Sequence, residues 1–371
     1  METHTEDLKR TPLYERHVAL GGKLVGFAGW ELPVRYTDVV EEHRAVRTAV
    51  GLFDVSHMGE VWIEGPEAER ALDYLSCNAL AKLYDGKALY SALLNEQGGV
   101  VDDIICYRFS EAKFLLCVNA SNRQKDVAWL QSRNRFEAEI RDVSDDYGQV
   151  AVQGPKALEL ISSLCAGSEL AGLKTFHFRE VQLAGSNCIV ARTGYTGEDG
   201  VEVFIPSADT GRVWDLLIDQ GRGYGAVPVG LGARDSLRLE ACYPLHGHEL
   251  RDDVSALQSG LEWIVKFEKG EFIGRPALLA EKERGLNQQL VGFYVEDAGI
   301  VREGTELVDG AGSKIGAVTS GTKTPTLNRA LGLARVASAY ASIDSEFFAA
   351  VRGRKLRCKV VPRPFYRRTR S

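Results

Sequence analysis

The chain has 371 residues, 44% of them hydrophobic and 26% charged, with a net charge of −6. That length exceeds one ordinary core and points to two or three domains, and the composition is that of a globular protein without disordered bias. The acidic balance argues against nucleic acid as the main partner, and no apolar run approaches the roughly 18 residues that cross a bilayer. The opening METHTEDLKRTP has no apolar stretch for a signal peptide and is too acidic for a transit peptide. Seven cysteines, an odd number without a CxxC, read as reduced, buried thiols in a cytoplasmic compartment.

Residues 61–65 read as a strand, after which Pro66 opens a helix in GPEAERALDYLSC; proline suits a first helical position, whose N–H needs no partner. ALYSALLNEQGGVVDDIICYRF reads as strand, Gly-rich turn, strand, and SEAK turns the chain again into FLLCVNA. Within the second strand, GGVVDDIICY sets Asp102 beside Asp103 in an otherwise apolar, β-branched run. Side chains alternate faces along a strand, so the two acids point opposite ways. Either both belong to the turn at 96–99 and stay in water, or one is held in a cleft and tuned for proton work. A helix follows from Ser121 or Asn122, carrying Val127, Trp129 and Leu130. Residues 149–154 repeat the strand, and Pro155 opens GPKALELISSLC; VEVFIP leading into GRVWDLLIDQG is a looser third copy. Such units suggest α+β layers, with a repeat too degenerate for a solenoid.

RTGYTGEDGVEVF, residues 192–204, packs glycines into a tight turn from which Tyr195 projects, with Glu202 in the next strand. A plain hairpin with an exposed tyrosine is the simpler alternative. VGLGARDSLRLEACY opens a helix near whose start stands Arg234. The positive end of the helix dipole disfavours a cation there unless an acid or a ligand offsets it. An ion pair with Asp235 or Glu240 would suffice. His246-Gly247-His248-Glu249 lacks a third ligand nearby, so no metal is expected. Dinucleotide, P-loop and nucleophile-elbow signatures are missing. From Gln288 the segments are short, β-rich and Gly-punctuated, as in a barrel or sandwich. Residues 352–371 are rich in Lys and Arg without an acid: a solvated face, or a docking patch for an acidic partner.

Taken together, TPLYERHVALGGKLVGFAGWELPV, GLFDVSHMGE, ALYSALLNEQGGVVDDIICY, VNASNRQKD, RTGYTGEDGVE, GLGARDSLRLEA and PFYR resemble the aminomethyltransferase (T-protein) family of the glycine cleavage system, in the family's order and over nearly the whole chain. The resemblance implies an α+β, three-lobed fold: two antiparallel-sheet α+β lobes around a central folate site, plus a C-terminal β-barrel. The implied domains are 1–50 with 145–285, 51–144 carrying the catalytic Asp, and 286–371. It implies transfer of the methylene carbon from an aminomethyl group on lipoylated H-protein to tetrahydrofolate as co-substrate. The products would be 5,10-methylenetetrahydrofolate, ammonia and dihydrolipoyl H-protein, with no metal, membrane or nucleic acid involved. Such chemistry needs an exposed nitrogen lone pair and a stabilised iminium-like carbon, and a close carboxylate serves both.

By the same resemblance the catalytic residue is Asp103, facing the folate while Asp102 faces away. Tyr90 and Tyr195 match folate-contacting tyrosines, Glu202 an acceptor of the pterin N–H edge, and Arg234 an arginine near the ligand. Met58, Asn119, Tyr243 and Trp263 match pocket positions where packing would explain them equally well. The chain departs from the family at Lys323-Thr324, where an aromatic–Ser pair is usual, at His246, where Leu-Tyr-Gly is usual, and near Val254-Ser255-Ala256, where Thr-Pro is usual. Those departures touch the pocket rim or partner docking, not Asp103. The alternatives are a non-catalytic folate-binding protein of the iron–sulfur maintenance type, faintly echoed by EACYPLHGHE, and a folate-dependent demethylase of another one-carbon donor.

Overall fold

In a computed structural model that describes residues 8–165 and 170–368, the chain divides into two compact units. One comprises Met1–Glu69, Leu83–Leu89 and Ile105–Asp235; the other comprises Arg70–Lys82, Tyr90–Ile104 and Ser236–Ser371. Secondary structure is mixed α and β in the first, and a closed barrel dominates the second.

The first unit holds a six-stranded sheet in the order Phe178–Leu183, Ser186–Ala191, Gly200–Pro206, Tyr147–Gln153, Val50–Asp54, Ala226–Pro228. Its pairings are antiparallel except the last. Period-two alternation sends Val150, Val152, Val201, Val203 and Ile205 to one face, where they meet Leu160, Ile161, Val213, Trp214 and Leu217 of the helices Ala157–Leu164 and Thr210–Gly221. Glu202 and Phe204 therefore take the opposite face. There Phe204, Ile189 and Ala191 pack against Trp62, Tyr107, Leu115 and Cys117 of a second sheet. That sheet runs Lys87–Leu94, Val100–Ser110, Lys113–Val118, Gly59–Glu64, Glu139–Asp142.

The recurring Gly-Pro junctions share one geometry. Gly65 has φ 141° and Gly154 φ 133°, and a Cβ would meet Glu137 O at 2.6 Å in the first and Ala49 O at 2.4 Å in the second. Only glycine fits such a turn. The helices begin at Ala68 and Ala157, two residues beyond each proline, rather than at the proline itself. Each proline instead sits inside a turn closed by Ala68 N–H to Gly65 O, or by Ala157 N–H to Gly154 O. The helix expected from Ser121 or Asn122 is a short 3-10 turn, Ala120–Asn122, that continues as the α-helix Arg123–Arg133.

The second unit contains the barrel, closed as Gln288–Val295, Arg329–Ala337, Lys314–Thr324, Glu306–Val308, Glu346–Val351, Arg354–Val361. Val291, Phe293, Val295, Val336, Phe347, Leu356 and Val360 fill it, following the period-two pattern of each strand. A second core joins Leu94 and Val100 to Leu250, Leu257, Leu261, Ile264 and Phe272, with Tyr90 packed against it. All seven cysteines are free, and six are buried. Among the described residues no helix is long and apolar enough to cross a membrane.

Candidate functional site

Asp103 sits near the head of the strand Val100–Ser110, and the chain builds that end with care. Gly98 has φ +82°, and a Cβ on Gly99 would lie 1.9 Å from Asp252 O, so the hairpin and the segment after it close only around glycine. Gly99 bridges Ser255, Val100 N–H donates to Arg251 O, and Ala256 N–H donates to Gly98 O. Tyr90 Oη donates to Asp103 Oδ2 at 2.9 Å. The Tyr90 ring stacks on Trp263, with centroids 5.8 Å apart and planes 16° apart. Trp263 is 62% exposed, so this acid, phenol and indole end in an open aromatic face. Asn78 Nδ2 donates to Tyr90 O and steadies the strand that carries the phenol. Neither acid belongs to a wet turn: Asp102 is fully buried, and Asp103 is the more open of the two.

In the first unit, Glu202, Tyr195 and Arg234 come together. Gln153 shapes the loop that carries Tyr195, donating to Thr193 O and Val201 O and accepting from Thr196 Oγ1. Ion pairs Arg47–Glu198 at 2.9 Å and Arg192–Asp199 at 2.6 Å brace the loop from two sides. So placed, the Tyr195 ring receives the Arg234 guanidinium 4.6 Å from its centroid. This contact, not an ion pair with Asp235 or Glu240, is what the structure gives Arg234 at its helix start. Glu202 is 9% exposed and accepts from Thr193 Oγ1 at 2.5 Å. Burial pushes its carboxyl up, while Thr193 and the Arg234 charge pull it back. Such a carboxylate, oriented and nearly dry, is built to accept N–H donors.

The remaining expected residues are less tightly tied. Met58 is half-buried against the apolar layer between the two sheets. Asn119 precedes the 3-10 turn Ala120–Asn122 without capping it through its side chain. Tyr243 is 38% exposed in the second unit. Sequence reading passed over Thr193, which orients Glu202, and His57. His57 is 2% exposed, and its Nδ1 has no hydrogen-bond partner among the described residues. Burial and the Arg234 charge push it down to about 4, so it is neutral at pH 7. Its place beside Met58 in FDVSHMGE was the available signal.

The departures from the expected pattern have separate fates. His246 Nε2 lies 3.2 Å from Val100 O, at the base of the strand that carries Asp103. His248 Nδ1 lies 3.0 Å from Thr319 O, and Glu249 is buried against Arg238 at 3.0 Å with Thr319 Oγ1 donating to it. Lys323 is exposed on a barrel strand and Thr324 is buried.

Known proteins resemble this chain along its length. Residues 13–269 match the family described as the GCVT N-terminal domain, and residues 288–367 match the glycine cleavage T-protein C-terminal barrel domain. An aminomethyltransferase of Thermoanaerobacter pseudethanolicus is 44% identical over 98% of this chain and 99% of its own length. One from Desulforamulus reducens is 46% identical, again over 98% and 99%. The crystal structure of the glycine cleavage system aminomethyltransferase T from Bartonella henselae matches with a TM-score of 0.90 at 35% identity, covering 97% of this chain and 98% of that one.

Proposed function

This chain belongs to the glycine cleavage T-protein family, and we propose that Asp103 is the carboxylate on which its chemistry turns. The enzyme is a folate-dependent aminomethyltransferase. It passes the methylene carbon of the aminomethyl group on lipoylated H-protein to tetrahydrofolate, giving 5,10-methylenetetrahydrofolate, ammonia and dihydrolipoyl H-protein. We divide the family's architecture here as 1–50 with 145–285, 51–144, and 286–371, assign the enzyme to the cytoplasm, and read the reaction as one without a metal.

In this reading Asp103 takes the proton from the attacking folate nitrogen and faces the positive charge that develops on the transferred carbon. Tyr90 holds that carboxylate through its 2.9 Å hydrogen bond, and Trp263 holds the Tyr90 ring. Glu202 accepts the N–H edge of the pterin, with Thr193 fixing its orientation. Arg234 favours the charged form of Glu202, and Tyr195 supports Arg234. By the family resemblance we also assign Met58, Asn119 and Tyr243 as folate-contacting positions. The observation that carries the reading is the Tyr90–Asp103 hydrogen bond on the more open of two adjacent acids. The alternatives lose to the full-length likeness to proteins named aminomethyltransferase.

The test is an assay of purified protein with tetrahydrofolate and aminomethyl-loaded H-protein. Ammonia and 5,10-methylenetetrahydrofolate should appear together, each dependent on both substrates. Tight folate binding without either product would move the protein to the non-catalytic class.

A further inference from the structure

Within the first unit, between the strands Gly59–Glu64 and Lys113–Val118 on one side and Gly200–Pro206 and Tyr147–Gln153 on the other, runs a polar strip that the reaction as described leaves unused. Glu60 and Cys117 are direct cross-strand partners, so their side chains leave one face of the sheet together, the face that carries Trp62 and Leu115 into the core. On the opposing sheet Gln149 pairs with Phe204, and Glu202 lies two residues before Phe204 on the same face. Cys117 Sγ reaches Gln149 Oε1 at 3.8 Å and links the sheets.

Glu60 is 1% exposed and Gln149 fully buried, yet Glu60 Oε2 and Gln149 Nε2 have no hydrogen-bond partner among the described residues. Buried polar groups in native folds are satisfied. An unmet carboxyl oxygen and an unmet amide N–H₂, flanking one thiol, call for a partner that presents a donor to the first and an acceptor to the second. Because Gln149 pairs with Phe204, its side chain leaves the sheet on the face that also carries Glu202, so the strip lies on the same sheet face as the carboxylate assigned to the pterin.

We propose that Glu60 and Gln149 form the polar floor of the pterin site and select a ring bearing an N–H donor and a carbonyl oxygen, directly or through one ordered water. This rests on the folate reading of Glu202 and Arg234. The two are specificity-determining residues and take no part in the bond-making at Asp103.

The test is tetrahydrofolate binding to the full chain by calorimetry, which needs no turnover, beside steady-state kinetics. Glu60→Leu and Gln149→Leu should each raise Kd and KM for tetrahydrofolate at least about tenfold, with kcat at saturation kept. Glu60→Gln, which retains an acceptor, should restore most of the affinity. An analogue without the ring carbonyl should bind wild type and Gln149→Leu alike. Should the leucine variants not fold, Glu60→Met and Gln149→Met preserve chain length at the same positions. Unchanged Kd with a shifted melting temperature would make the strip purely structural and overturn the proposal. Wild type that binds no tetrahydrofolate would instead overturn the folate reading itself.

Discussion

Asp103 takes the Tyr90 hydroxyl at 2.9 Å, while Asp102, one residue earlier, is fully buried on the other face of the strand. Alternation alone separates the two, and that was legible in GGVVDDIICY. The burial of Asp102 was not, because it depends on what covers the far face. Glu202 is a similar case: VEVFIP puts it on the face of Phe204, but its Thr193 partner comes from a neighbouring turn. Glu60 adds a titration that stability measurements can read. Burial holds its carboxyl well above the ordinary range, against the opposing pull of Arg123. The unfolded chain ionises this group near pH 4.3, while the folded chain keeps the proton to higher pH. Unfolding therefore releases a proton across that interval, and the native state loses stability as pH rises through it. Glu60→Gln removes the titration. Its melting temperature should gain on wild type from pH 5 to pH 8; a constant difference between the two proteins would refute the assignment.

At the level of elements, the Gly-rich hairpin before Asp103 is the most exacting piece. Gly99 leaves room for Asp252 O where any Cβ would stand 1.9 Å away, and Val100 N–H donates to Arg251 O. Gly99→Ala should displace this end of the strand, costing about 1–3 kcal/mol of stability and lowering kcat more than it raises KM for folate. Denaturation and steady-state kinetics read the two effects, and a variant with wild-type kcat would show that Asp103 does not depend on the hairpin. Strand existence was readable from composition: the hairpin 87–110, the strands around 61 and 149, and the β-rich stretch after Gln288 all appear. Pairing was not. Val50–Asp54 joins Tyr147–Gln153 across nearly a hundred residues, and no local pattern encodes such a partner. The C-terminal segment left barrel and sandwich open; closure is made by Gln288–Val295 pairing with both Arg329–Ala337 and Arg354–Val361.

Over the whole molecule the charge is uneven. The chain carries −6, yet residues 352–371 hold only basic charges. Arg367 and Arg368 lie at its described end, and Arg370 lies outside the described residues. Neutralising all three should raise KM for H-protein at low ionic strength, with the gap closing as salt rises past about 0.15 M. Equal values across a salt series would leave the tail as a solvated face. The whole-chain resemblance was legible because its seven motifs keep their order, whereas the burial of His57 and Glu60 depends on what packs over them in the folded chain. The central claim rests on one carboxylate, and the most direct measurement compares wild type with Asp103→Asn for 5,10-methylenetetrahydrofolate formed from aminomethyl-loaded H-protein. Turnover should fall by at least about a hundredfold, the low end of what a positioned acid–base group contributes, with melting temperature and folate affinity nearly unchanged. Near-normal turnover by the asparagine variant would contradict the account.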